Sequence, residues 1–338
     1  MTKILEVKNL NTSFFTHLGE VQAVRGNSFT LNKGEILGIV GESGSGKSVT
    51  AMSIMGLIDH PGEIKSGEII FNGENIAKKT NKEMSNIRGK EISMIFQDPM
   101  TSLNPVYTIE NLMVEVIQRH KHVSKKEARR LAIEKLELVG IPEPASRIKS
   151  FPHEFSGGMR QRAMIATALS CDPKLLIADE PTTALDVTIQ AQILDILKKL
   201  ATELDTSIMI ITHDLGVIAE TCTKIIVMYG GLIMEKGPID EIFYNPQHPY
   251  TIGLLNSVPR MDVEEKGRLI PIPGSPPDLM NPPKGCPFST RCPRVMQICK
   301  EEPVPTFKVN DNHTSACWLL HKDAPEVGGF AKGSEIID

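Results

Sequence analysis

No apolar run in these 338 residues approaches the roughly 20 that a bilayer-spanning helix requires, so we expect no membrane span. The start, Met1-Thr-Lys-Ile-Leu-Glu-Val7, lacks the apolar core of a secretion signal; it alternates and carries charge. The expectation is a cytosolic chain that reaches a membrane only through a partner. No charge of one sign dominates. Lys and Arg number 37 against 41 Asp and Glu, a net charge of −4, which leaves no global electrostatic footprint for nucleic acid. Six cysteines in a chain this long are not a disulfide framework. No internal repeat is visible. What is present is an ordinary globular composition, 41% hydrophobic and 23% charged, in a length that holds about two domains.

Short aliphatic runs alternate with helical patterns, the mark of an α/β fold. Candidate strands cover Ile36–Val40, Glu68–Phe71, Ile92–Phe96, Leu175–Ala178, Ile208–Ile211 and Lys224–Met228. Continuous runs such as Ile208-Met-Ile-Ile211 suit strands buried on both faces of a parallel sheet. Helical patterns fall at Lys47–Leu57, Met159–Leu169 and Ile189–Leu204. Leu5–Leu31 reads as two strands around a Leu18-Gly19 turn, hence an antiparallel β layer ahead of the sheet. Residues 98–157 break the alternation as a helical insert. Ser124-Lys-Lys-Glu127 is a capping-box sequence there, opening a helix that Gly140 closes. Twelve of the 23 prolines lie in residues 259–338, which excludes long helices and central strands there. The division is therefore 1–258 and a Pro/Cys-rich C-terminal extension, 259–338.

The chemistry begins at Gly41, Glu42, Ser43, Gly44, Ser45, Gly46, Lys47 and Ser48, which fit G-x-x-x-x-G-K-[ST], with Val49 following. A strand precedes this loop and a helical run follows it, the context a phosphate loop requires. Its backbone N–H groups cradle phosphate oxygens, helped by the helix N-terminus. Lys47 reaches the β- and γ-phosphates of ATP, and the Ser48 hydroxyl can ligate Mg²⁺. Leu175-Leu-Ile-Ala-Asp179-Glu180 ends a buried strand in two carboxylates. Asp179 suits Mg²⁺ and Glu180 suits polarising an attacking water.

Phe155-Ser156-Gly157-Gly158-Met159-Arg160-Gln161 resembles the signature motif of ATP-binding cassette (ABC) proteins, with Phe and Met at two variant positions. The resemblance covers residues 1 to about 240. It implies a P-loop ABC-type nucleotide-binding domain and assigns roles to further residues. Gln97 becomes the Q-loop glutamine, a ligand of Mg²⁺; Ala184-Leu185-Asp186 the D-loop; His213 the switch histidine beside the γ-phosphate. Phe14 falls where the family stacks an aromatic on adenine, although Phe15 is adjacent. The resemblance also implies that two subunits pair head-to-tail, so that Ser156, Gly157 and Gly158 face ATP held by the partner's Lys47 loop. The helical insert would grip a membrane partner's loop.

Gln247-His-Pro-Tyr-Thr-Ile-Gly-Leu-Leu-Asn256, residues 272–278, Cys-Pro-Phe-Ser-Thr-Arg-Cys-Pro-Arg at 286–294, and Asn104-Pro105 after Phe96-Gln97-Asp98-Pro99 resemble ATPases of oligopeptide and dipeptide importers. That resemblance implies ATP hydrolysis coupled to peptide import. The partners would be a second ATPase subunit, two membrane permeases and an extracytoplasmic peptide-binding protein, at the cytoplasmic face of the membrane. Nickel or another solute is the alternative cargo. Cys286, Cys292, Cys299 and Cys317 lack the close pairs of a zinc ribbon. Some members of the resembling subgroup carry a 4Fe-4S cluster in this tail, and four thiolates also suit Zn²⁺; free thiols remain the third reading. A Pro-rich tail of this length is expected to need such a clip, while the cassette is expected to bind ATP without it. Cys171 and Cys222 fall in helical runs and read as small core hydrophobes.

Other readings are weaker on the residues. Soluble ABC ATPases of translation or repair carry two cassettes or a coiled-coil insert. Exporter subunits are commonly fused to membrane spans. A redox-sensing regulator would not need Glu180 and His213 intact.

Overall fold

The structure is a computed structural model and describes residues 2–98, 102–183, 186–257 and 271–337. Pro99, Ala184, Leu185 and the expected boundary at 258/259 lie outside the described residues.

The described strands are β1 (Lys3–Thr16), β2 (Gly19–Asn32), β3 (Ile36–Val40), β4 (Gly62–Phe71), β5 (Glu74–Asn75), β6 (Ile92–Ile95), β7 (Leu175–Asp179), β8 (Ser207–Ile211), β9 (Lys224–Tyr229), β10 (Leu232–Pro238), β11 (Thr306–Asn310), β12 (His313–Ser315) and β13 (Glu335–Ile337). They form two sheets. The smaller runs β2-β1-β4-β5, all antiparallel. The larger runs β13-β11-β12-β10-β9-β3-β8-β7-β6. Its half from β9 to β6 is parallel, and every residue of β3, β6, β7 and β8 is buried. Such strands cannot alternate polar and apolar residues, because both faces are covered.

The Glu68–Phe71 expectation needs correction in one respect. That segment ends β4 of the antiparallel sheet and is not a member of the parallel one. Its burial alternates along the chain, since one face meets the core and the other meets solvent. Three apolar residues after Glu68 are too short a run to separate the two cases.

Two apolar layers sandwich the large sheet, and successive residues point to opposite sides. Leu37, Ile39, Met209 and Ile211 face the small sheet and the helix Lys47–Met55. Ile36, Val40, Ile208 and Ile210 face the helices Gly157–Ala168 and Val187–Glu203. The insert between β6 and β7 contains the helices Ile109–Lys121 and Lys125–Leu138. Ser124 caps the second by accepting from Glu127 N, and Gly140 leaves it with φ 72°. Cys171 and Cys222 are buried, as expected, but lie just beyond helix ends rather than within helices.

The tail is not a separate layer. β12 pairs antiparallel with β10, so β11 to β13 extend the cassette's own sheet. Phe288 is buried with Tyr229 and Tyr250, at ring-centroid separations of 5.3 Å from each. Beneath them Glu235 and His313, both fully buried, meet at 2.8 Å. The tail builds only a small apolar cluster of its own, around Phe307, Leu319 and Leu320, and otherwise packs on the cassette's core.

Candidate functional site

The Gly41–Ser48 loop joins the end of β3 to the helix Lys47–Met55. Gly46 has φ 97°, and a Cβ there would stand 2.4 Å from the Ala23 carbonyl oxygen, so no other residue fits. Lys47 lies inside the loop and donates to Gly41 O at 2.7 Å and Glu42 O at 3.0 Å. Burial lowers the pKa of its ammonium, against the pull of Glu180, Asp179 and Glu42. A desolvated cation ringed by loop carbonyls and amides is poised for an anionic ligand. Ser48 donates to Asp179 Oδ1 at 3.2 Å, which joins the loop to the end of β7. Burial raises the Asp179 carboxyl's pKa above its ordinary value, opposed by that hydroxyl. Hydroxyl and carboxylate oxygens side by side are the donor chemistry of a hard divalent cation.

Glu180 follows Asp179 with φ 49°, a left-handed conformation uncommon outside glycine. Its side chain is fixed on three sides. Gln97 Nε2 donates to Oε2 at 2.9 Å, Thr183 Oγ1 donates to Oε2 at 2.8 Å, and His213 Nδ1 lies 3.2 Å from Oε1. Burial alone would raise its pKa; the Thr183 and His213 hydrogen bonds outweigh it and hold the carboxyl below its ordinary value. Gln97, Asp179, Glu180 and His213 thus converge from separate strand ends. His213 is not a helix cap; Asp214 caps the helix Leu215–Thr221 by accepting from Gly216 N at 2.8 Å. Thr183 had no sequence signal of its own.

Ser156 caps the helix Gly157–Ala168, accepting from Met159 N. Ser156, Gly157 and Gly158 line a cavity of about 550 Å³ with Arg162 and Asp186. No residue of the phosphate loop lines it. Asp186 caps the helix Val187–Glu203 through Ile189 N, which gives it a structural task whatever else it does. Phe14 is half-buried on β1, packed over Gly62, while Phe15 is exposed beneath Lys65.

Cys286, Cys292, Cys299 and Cys317 line a single small cavity, although up to 31 residues separate them. Burial pushes the Cys286 thiol up to about 12 and raises those of Cys292 and Cys317. His248 and Trp318 line the same cavity. Tyr250 N donates to His248 Nδ1 at 3.0 Å, and burial drops the imidazole's pKa to about 3, so the ring is neutral with its hydrogen on Nε2. His248 Nε2 and Trp318 Nε1 are both buried without a partner. Two orphaned N–H donors and four sulfurs therefore share one enclosed space. Among the described residues there is no group of three or more His, Cys, Asp or Glu side chains placed to hold a metal ion. No helix among them is long and apolar enough to cross a membrane.

Comparison with known proteins adds to this geometry. Residues 24–183 match the family model "ABC transporter", and residues 234–299 match "Oligopeptide/dipeptide transporter, C-terminal region". The chain is 58% identical to the oligopeptide transport ATP-binding protein OppD of Bacillus subtilis, over 97% of this chain and 92% of that one. It is 54% identical to the dipeptide transport ATP-binding protein DppD of the same organism, over 98% and 100%. Among solved structures it resembles the dimeric, post-hydrolysis ATP-binding cassette MJ0796 bound to ADP and Pi. The TM-score there is 0.63 at 28% identity, over 70% of this chain and 98% of that one.

Proposed function

Since the chain belongs to the ABC transporter family, we propose that it is the ATP-binding and hydrolysing subunit that energises import of di- and oligopeptides across a membrane. The observation that carries the enzymatic part is Glu180, held by Gln97, Thr183 and His213 next to an Asp179 bonded to Ser48. In this reading the loop amides and Lys47 bind the β- and γ-phosphates. Ser48 and Asp179, with Gln97 near them, would hold Mg²⁺, which neutralises charge developing on the transferred phosphoryl group. Glu180, kept ionised, orients and deprotonates the attacking water. His213 fixes the Glu180 carboxylate and stands beside the transferred group. Phe14 is the proposed adenine platform.

The separation of the Ser156 cavity from the phosphate loop supports a head-to-tail pair of ATPase subunits, each completing the other's site. A cavity of about 300 Å³, lined by Met55, Leu57, Phe96, Leu103, Val116 and Met164, opens beside Gln97. It would suit an apolar element of a membrane permease, which supports a peripheral position on the cytoplasmic face. Movement of Gln97 with the bound phosphate would reach that groove through Phe96. An extracytoplasmic peptide-binding protein would complete the importer, and nucleic acid has no part in it. The divisions 1–258 and 259–338 remain our domain proposal.

For the tail we propose a 4Fe-4S cluster on Cys286, Cys292, Cys299 and Cys317. A single Zn²⁺ needs four sulfurs about 2.3 Å from one point, and the absence of a single-ion group among the described residues weighs against it. A cluster spreads its thiolates over four irons and accepts hydrogen bonds at sulfur, which suits the orphaned His248 and Trp318 N–H groups. When bound, it would supply a covalent clip.

Uptake tests the whole reading. Cells lacking this chain should lose uptake of radiolabelled di- and tripeptides, regained with the wild type and not with Glu180→Gln. Unchanged peptide uptake with lost ⁶³Ni²⁺ uptake would move the cargo to nickel.

A further inference from the structure

We infer that Arg291, in the C-terminal tail, is a positioning residue for the phosphate loop and sets the affinity for ATP through Glu42. The inference rests on the reading of Gly41–Ser48 as the nucleotide site. All three polar groups of Glu42 are engaged. Its backbone N–H donates to Tyr250 Oη at 2.9 Å, its carbonyl accepts from Lys47 Nζ at 3.0 Å, and its carboxylate pairs with Arg291 Nη1 at 2.8 Å. Two of these three partners come from beyond β10, so residues 208 and 249 positions away fix the second residue of the loop.

Arg291 is itself tightly held. Its side chain is 5% exposed. Nε donates to Pro273 O at 2.8 Å, Nη2 to Ile272 O at 3.0 Å, and Nη1 also to Tyr229 Oη at 3.0 Å. The guanidinium lies against the Tyr229 ring, 5.6 Å from its centroid. Four oxygens around a planar fork exceed what keeping the tail folded requires of an arginine, and the one acceptor outside the tail and its packing partner β9 is the loop's carboxylate. The Glu42 side chain is only partly buried, at 26% exposed, and without Arg291 its carboxylate would stand beside the phosphate loop with no counter-charge. It would swing toward Lys47 or meet the phosphate oxygens, and both movements oppose ATP. Paired with Arg291 it is neutralised and turned aside, and the loop is preformed before nucleotide arrives.

The sequence separates tail from cassette; the structure joins them at this pair. Full-length Arg291→Ala, Arg291→Lys, Glu42→Gln and Arg291→Ala/Glu42→Gln are compared with wild type. The readouts are titration of a fluorescent ATP analogue and steady-state hydrolysis, with a thermal melt as the fold control. We expect Arg291→Ala to raise KM and the dissociation constant about tenfold, the scale of one charge-assisted pair, with kcat within about twofold. Arg291→Lys, which restores a charge without the fork, should recover most of the affinity. The double variant should bind no more weakly than Arg291→Ala alone, because both remove one interaction. Affinity unchanged in a folded Arg291→Ala, or additive losses in the double variant, overturns the inference. Should Arg291→Ala not fold, the same additivity criterion is read from Arg291→Gln, which keeps hydrogen-bond donors without the charge, with Glu42→Gln. Lys47→Ala separates the two levels: if it too leaves affinity unchanged, the nucleotide site is misassigned, whereas loss there alone removes only the role of Arg291.

Discussion

His213 Nδ1 stands 3.2 Å from Glu180 Oε1, although 33 residues and the whole of β8 lie between them. Three side chains fix the Glu180 carboxylate, and its backbone takes a left-handed conformation that costs on the order of 1–3 kcal/mol. Strain maintained by hydrogen bonds from separate elements is the pattern of a working site. We therefore expect Glu180→Gln to lower kcat by about 10²- to 10⁴-fold, as loss of a general base does, with ATP binding within about threefold of wild type. Turnover near that of wild type in single-turnover assays would remove Glu180 from the mechanism.

The Ser156 cavity and the phosphate loop share no lining residue, so hydrolysis should require two copies. Lys47→Ala weakens the phosphate contact in its own subunit, and Gly157→Asp places a carboxylate where the partner's phosphate would lie. Each variant alone should be inactive. Mixed in equal amounts they should regain a fraction of activity, from dimers that hold one intact composite site. Activity proportional to protein concentration down to full dissociation would exclude the paired arrangement.

Much of this was legible in the sequence because it depends on local order. The phosphate loop needs particular glycines, β3, β7 and β8 need aliphatic runs, and Asp179-Glu180 is recognised by its place after a buried strand. Glu68–Phe71 was legible as a strand, but three apolar residues after Glu68 do not say which sheet it joins. Thr183 carries no motif of its own, and Tyr250 and Arg291 fall in tail segments whose resemblance assigns neither of them a role. Their tasks arise only when distant segments pack, as when Arg291 meets Glu42 across 249 positions. The tail was read as needing its own clip, since proline content says nothing of the cassette core into which Phe288 inserts.

Asp179 illustrates a cost of function. Burial raises its folded pKa, so its contribution to stability is full below the unfolded value near about 4 and is lost as pH rises through the folded value. At neutral pH the ionised carboxylate therefore destabilises the nucleotide-free protein. Asp179→Asn retains an oxygen for Ser48 without the charge. In thermal melts at pH 7 it should be the more stable protein, with the gap closing toward pH 4, while Mg²⁺-dependent hydrolysis disappears. A less stable variant at pH 7 would contradict the burial account.

Glu235 accepts from the backbone N–H groups of Gln247 and His248 as well as from His313 Nε2, and so ties β10 to β12. Removing one partner of a buried hydrogen bond leaves the other under-satisfied, at about 1–3 kcal/mol. His313→Ala should therefore loosen the tail's strands, seen as early protease cleavage after residue 300. Protease resistance equal to wild type would show that the β10–β12 pairing holds without the Glu235–His313 hydrogen bond.

The cysteine cavity yields the last expectation. Thiols raised by burial give up their protons only to a strong Lewis acid, so metal-free Cys286 should stay protonated and unreactive at neutral pH. Protein purified without oxygen should be brown, with broad absorbance near about 400 nm and about four irons and four sulfides per chain. Cys292→Ser should abolish the colour. Because Cys292 is bonded to Arg291, the lost clip should also release the guanidinium from Glu42, and KM for ATP should rise toward that of Arg291→Ala while kcat holds. His248→Phe keeps an aromatic ring in place of the imidazole but removes a donor, so it should retain the irons and lower the reduction potential, since hydrogen bonds to sulfur stabilise the reduced, more negative state. One zinc in a colourless protein would replace the cluster with a mononuclear site. Four alkylatable thiols in the anaerobic protein would leave the tail held by Phe288, β12 and Arg291 alone.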